Sequence, residues 1–131
     1  MFLRAIPGVI GVFFFLQGMR WIVDPASAAS ALGMPLLDGL GRSTQVGDMT
    51  SFFLTLGLMA LLGALRSNGT WLRGSALLLA GAATMRTLAW GIHEADFATE
   101  FIAIESIVAA ILFFIANRFD RKDEAGRTSL A

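Results

Sequence analysis

Residues 97–117 read FATEFIAIESIVAAILFFIAN, a run in which Glu100 and Glu105 are the charged positions. A helix needs roughly 20 mostly apolar residues to cross a hydrocarbon core about 30 Å thick. This run meets that length by itself. Three others match it: residues 3–23 (LRAIPGVIGVFFFLQGMRWIV, with Pro7 expected in the first turn), residues 44–65 (TQVGDMTSFFLTLGLMALLGAL) and residues 71–91 (WLRGSALLLAGAATMRTLAWG). The composition agrees, since the 131 residues are 56% hydrophobic and only 15% charged, with a mean hydropathy of +0.69. Both departures from soluble usage point the same way. The pattern predicts an all-α integral membrane protein, a bundle of four transmembrane helices occupying residues 1–118. A charged tail, residues 119–131, follows; it lacks an apolar period and is expected to be mobile.

Several function classes fall away at once. Formal net charge is zero, and no basic patch interleaved with aromatics points to nucleic acid. Cysteine is absent and histidine occurs once, which removes disulfides, thiolate metal sites and any multi-histidine metal or haem site within one chain. No nucleophile elbow, phosphate-cradling glycine loop or HExxH pattern is present. No metal or cofactor is therefore expected.

The first apolar run resembles a signal peptide, because Arg4 precedes it and Ala26-Ser27-Ala28 follows. It is longer than a usual signal core, however, and Arg20, Asp24 and Pro25 interrupt the approach to the small residues. The reading is a retained first helix, with cleavage as the alternative. After it, Asp24 and Pro25 form an N-cap followed by a proline at the first helical position. A short helix from Pro25 through Ser30, stopping near Gly33, is expected at the lipid–water boundary. Residues 66–70 (RSNGT) predict a tight turn with Asn-Gly supplying positive φ, and residues 92–96 (IHEAD) link the last two spans.

Four crossings put both ends of the chain and the turn near residue 68 on one side. That side holds Arg4, Arg66, Arg73, Arg118, Arg121, Lys122 and Arg127, whereas the other side pairs Arg20 and Arg42 with Asp24, Asp38, Glu94, Asp96 and Glu100. The positive-inside rule then makes both termini cytoplasmic. In a bacterial inner membrane the acidic loops face the periplasm.

Polar residues inside the spans are the candidate site, because an ionisable group in hydrocarbon is costly and functional by default. Gln17, Asp48, Arg86 and Glu105 each lie roughly 7–12 Å inside the outer end of their helix, one per helix in a single layer. Arg42, Gln45, Asp48, Phe52 and Thr55 recur at helical spacing, as do Arg86, Trp90 and His93. The candidate polar cluster, ligand-binding or structural, is Gln17, Arg20, Gln45, Asp48, Arg86, His93 and Glu105. In the plain reading Arg86 bridges Asp48 and Glu105 and sets the register of four helices. In the functional reading the layer lines a cavity, and two carboxylates to one arginine leave an excess acid. His93 reads as a solvated loop residue or hydrogen-bond partner, and Glu100 as facing the headgroups. Trp21, Trp71 and Trp90 read as interfacial anchors. Phe13, Phe14, Phe15, Phe113 and Phe114 face lipid or core. Gly8, Gly11, Gly57, Gly63, Gly81, Ala82 and Ala83 permit close helix approach.

The segments FLTLGLMALLGAL (53–65), MRTLAWG (85–91) and AIESIVAAILFF (103–114) resemble the small DoxX-like membrane proteins, a four-helix family of unknown function. The resemblance covers roughly residues 4–117. It implies a small residue before an arginine late in the third helix and a glutamate early in the fourth, positions that Arg86 and Glu105 match. In the second helix the family pattern of glutamate, arginine and paired glycine is replaced by Gln45, Asp48 and Ser51-Phe52.

Three functions remain open. The chain binds a membrane lipid or small amphiphile, or serves as an accessory subunit or scaffold beside another membrane protein or further copies of itself. Alternatively, Asp48 and Glu105 act as the acid–base pair of an intramembrane, isomerase-like enzyme on a lipid-like substrate. A proton-coupled transporter ranks last, since four short helices without a broken-helix site would need to oligomerise.

Overall fold

In lipid the backbone has no partner but itself, so an unbroken apolar run has helix as its local solution. The computed structural model describes residues 2–128, in five helices: α1 (Phe2–Val23), α2 (Pro25–Ala31), α3 (Gly39–Arg66), α4 (Gly69–His93) and α5 (Thr99–Thr128). No strand occurs among the described residues. Four of the helices are long and apolar enough to cross a membrane, and only 22–28% of each span is buried inside the bundle. The apolar remainder faces out, as a chain immersed in lipid requires.

The long helices pack in chain order, α1 on α3, α3 on α4 and α4 on α5, while α1 and α5 barely touch. Leu56, Leu72, Leu79, Leu112 and Ile115 fill the centre, joined by Phe14 from α1 and Phe119 from α5. Ser75 is buried among them and donates from Oγ to the Leu56 carbonyl at 3.1 Å, so its hydroxyl is satisfied by the neighbouring helix rather than stranded. At one end of the bundle Arg73 ties α4 to α5, through Asn117 at 2.9 Å and Asp120 at 2.5 Å. The charged segment after residue 118 opens as a continuation of α5 as far as Thr128. Residues 129–131 of that expected tail lie outside the described residues.

Gly57 explains how closely α1 and α3 approach. A Cβ there would meet the Phe15 backbone and, at 2.8 Å, the Gly11 carbonyl, and a Cβ on Gly11 would meet the Leu61 nitrogen at 2.8 Å. Backbone lies against backbone, as small residues in membrane helices permit. Gly63 instead makes room for the Leu72 side chain, whereas Gly81 has open space around it and takes no part in such packing.

The connections follow local chemistry with two changes. Asp24 caps α2 by accepting from the Ser27 amide at 3.1 Å, with Pro25 at the first position and Gly33 beyond the end at φ +72°. Between α3 and α4, however, the left-handed residue is Ser67 (φ +50°), not the Asn-Gly pair. Asn68 instead caps α4, its Oδ1 accepting from the Thr70 amide at 2.9 Å. Gly69 is helical and buried, and a Cβ there would meet the Ala116 carbonyl at 2.7 Å. It is small for packing rather than for φ.

Trp21 is also placed differently from its expected interfacial role. It is 1% exposed and packs beneath Ala28 and Ala29 of α2, with Met34, Val46 and Met49 around it. Once α2 folds across the end of α1, the indole has protein on all sides. Trp71 is half-buried, and Trp90 is exposed at the end of α4 with its ring edge-on to Phe97 at 5.1 Å.

Candidate functional site

The polar residues meet at the end of the bundle that α2 covers. There the helices part around a cavity of about 360 Å³, within the ~300–1,000 Å³ typical of small-molecule sites. Its walls are largely apolar and include Phe13 and Phe14 from α1, Phe52 and Phe53 from α3, and Phe101 from α5. Ala31 and Leu32, from the end of α2, close one side. Gln17, Arg20, Arg86 and Glu105 bring polar atoms to this otherwise apolar surface.

Arg86 and Glu105 form the centre. Arg86 Nε donates to Glu105 Oε1 at 3.0 Å, joining α4 to α5, and the two side chains are 34% and 12% exposed. The guanidinium also lies over the Phe101 ring, 4.8 Å from its centroid. Phe101 and Glu105 are one helical turn apart, so a single face of α5 holds Arg86 through both charge and π-face. The second carboxylate oxygen, Glu105 Oε2, is buried and has no hydrogen-bond partner. Leaving such an acceptor unmet is costly.

Arg20 approaches from α1. Its Nη2 donates to Ser27 Oγ at 2.6 Å and to the Ser27 carbonyl at 3.2 Å, so the same side chain lines the cavity and anchors α2. Gln17, one turn earlier on α1, is half-buried at the wall.

The other sequence candidates lie elsewhere. Asp48 is exposed and not among the cavity residues, so Arg86 bridges no pair of carboxylates. The reason is rotation: at 100° per residue Asp48 lies roughly 110° around α3 from the direction of its buried residues. Gln45 is buried but fastens the linker, accepting from the Leu37 amide at 3.0 Å and donating to the Pro35 carbonyl at 3.1 Å. Arg42 holds the same linker, donating to the Leu37 carbonyl and pairing with Asp38, both at 2.8 Å. The expected α3 stripe therefore splits three ways, with Arg42 and Gln45 anchoring the linker, Phe52 lining the cavity, and Asp48 and Thr55 facing outward. His93 is exposed at the last position of α4, about 10 Å along the helix from Arg86. Glu100 is exposed in the first turn of α5.

The local charge is thus the reverse of the expected excess acid. Two arginines and one glutamate line the cavity.

No protein-family model, curated protein or solved structure matches this chain. The site combines a phenylalanine-bearing apolar cavity with one ion pair, one further guanidinium and an unmet carboxylate oxygen. It can hold a molecule that is mostly apolar with a compact polar end.

Proposed function

We propose that this chain is a small integral membrane protein that binds a membrane lipid or another amphiphile in the cavity beneath α2. The observation that carries the reading is the pairing of an aromatic wall with Arg20, Arg86 and the unpartnered Glu105 Oε2. A buried acceptor on a residue that lines a cavity can be met when a ligand supplies the donor. An acid–base enzyme working through Asp48 and Glu105 draws no support from a geometry that separates them. The test is native mass spectrometry of the protein extracted in a mild detergent. A retained amphiphile, lost from an Arg86→Leu, Glu105→Gln double variant that still folds, supports the reading. A ligand-free wild type that stays ligand-free on lipid addition refutes it.

A second observation favours the accessory or self-associating reading alongside the first. Thr44, Asp48, Ser51 and Thr55 share one exposed face of α3. Thr44 and Ser51 return their hydroxyl hydrogens to the Leu40 and Gly47 carbonyls, but Asp48 has no ion-pair partner among the described residues. A carboxylate on a membrane-facing surface gains from a partner helix that covers it. The mass of the detergent-solubilised particle distinguishes a second copy from a different subunit.

We further propose residence in a bacterial inner membrane with both termini cytoplasmic, on the arginine and lysine bias between the two ends. Membership in the DoxX-like family is proposed on the segments around Arg86 and Glu105.

A further inference from the structure

The neighbourless edges of α1 and α5 determine how a ligand reaches the cavity. Each of these helices packs on its other neighbour, and they barely meet one another. Phe13 of α1 and Ile104 of α5 both line the cavity and are 54% and 56% exposed. The cavity is therefore walled there by side chains that also face the membrane.

Along the same seam lies a cleft of about 440 Å³, lined entirely by apolar residues, chiefly Ile6 of α1 and Ala110, Ile111 and Phe114 of α5. Ile6 is seven residues from Phe13, and Ile111 is seven from Ile104. Seven residues are about two turns and 10 Å, so each pair lies on one helix face. Ile10 and Val108, both half-buried, occupy the intervening turn. Cavity and cleft are successive segments of one seam, polar above and apolar below.

The polar segment has a definite preference. With Arg20 and Arg86 against Glu105, it carries one positive charge in excess. One negative charge on a ligand neutralises it, whereas a quaternary ammonium would face two guanidinium groups. The Phe101 ring, which could otherwise hold a cation, is already covered by Arg86. Glu105 Oε2 is an acceptor without a donor, so the complementary head also carries a hydroxyl.

We infer that the α1–α5 seam is a lateral binding site for a single-chain amphiphile whose head bears one negative charge and a hydroxyl. The anionic group lies between Arg20 and Arg86, the hydroxyl donates to Glu105 Oε2, and the chain runs down past Ile6, Ile111 and Phe114. Access is sideways from the membrane. This inference rests on the amphiphile-binding reading and specifies its ligand. A lysophospholipid with a glycerol head and a β-hydroxy fatty acid share this chemistry.

The test is competition binding to the full-length protein in a non-ionic detergent, read by native mass spectrometry and thermal shift. Five probes of equal chain length are compared: lysophosphatidylglycerol, a β-hydroxy fatty acid, the plain fatty acid, lysophosphatidylcholine and monoacylglycerol. Either hydroxylated anion should bind about tenfold more tightly than the zwitterionic and uncharged probes, and whichever of the two binds better identifies the source. The β-hydroxy acid should also outcompete the plain acid. Ala110→Trp, which fills the cleft from an exposed position, should weaken the anionic probes by about tenfold while leaving the ligand-free melting temperature near wild type. Equal binding of lysophosphatidylcholine would overturn the head-group assignment and leave amphiphile binding standing. Undiminished binding to Ala110→Trp would overturn the lateral route, and equal binding of the plain and hydroxylated acids would remove the Glu105 contact. Binding of none of the five by a cooperatively melting wild type would end both this inference and the reading beneath it.

Discussion

Arg86 reaches Glu105 with one nitrogen, Nε to Oε1 at 3.0 Å, and leaves the other carboxylate oxygen buried and unpartnered. An ion pair kept only for stability gains most when every lone pair is met. This one is half-satisfied beside a cavity.

Removing the arginine alone should be expensive. Arg86→Leu strands Glu105 in an apolar wall and should lower stability by roughly 3 kcal/mol. Adding Glu105→Gln removes the stranded charge and should restore much of that loss. Thermal melting of both variants in detergent checks this. A double variant no more stable than the single one would show that Glu105 is not stabilised chiefly by Arg86.

Asp48 should behave as a surface residue. In the isolated chain Asp48→Asn should change stability by no more than about 0.5 kcal/mol. If α3 meets a second helix through that face, the same variant should instead shift the particle from oligomer towards monomer, read by size-exclusion chromatography with light scattering.

Two glycines should respond in opposite ways. Gly57→Ala places a methyl against the α1 backbone, which has no side chain to swing aside, and should cost about 2 kcal/mol. Gly81→Ala meets nothing within 4 Å and should be neutral, or stabilising by up to about 1 kcal/mol through helix propensity. Parallel melting curves test the pair; equal effects would refute the close α1–α3 approach.

Asp24 and Gln45 hold opposite ends of the connection between α1 and α3. Asp24→Ala should destabilise α2 by about 1 kcal/mol, and Gln45→Ala should release residues 35–37, whose backbone its amide bonds. Amide exchange should accelerate over residues 25–31 in the first variant and around Leu37 in the second.

Orientation is checked by reporter fusions. A fusion at Ala131 should report cytoplasmic and one within residues 92–96 external. The reverse pattern would move the cavity to the cytoplasmic half.

The number of long helices, and the cap on α2, were legible in the chain because they depend on neighbours in sequence. Twenty apolar residues specify a span without reference to any other segment, and Asp24 bonds an amide three positions away. Arg86 and Glu105 were also legible as partners, since each is a charge set well inside its span and needs an opposite charge at similar depth. The rotation of each helix about its axis was not legible. Spacing shows which residues of α3 share a face but not which face meets α1. Gly57 and Gly11 settle that by letting the two backbones touch, and their contact turns Asp48 away from the cavity. Trp21 and Gln45 depend on where the chain returns after Val23, a matter of tertiary packing. The same helix end can hold an exposed anchor or a buried core residue until α2 lies across it. The positive cavity is therefore a product of packing, because it required Asp48 to turn away from Arg20, Arg86 and Glu105.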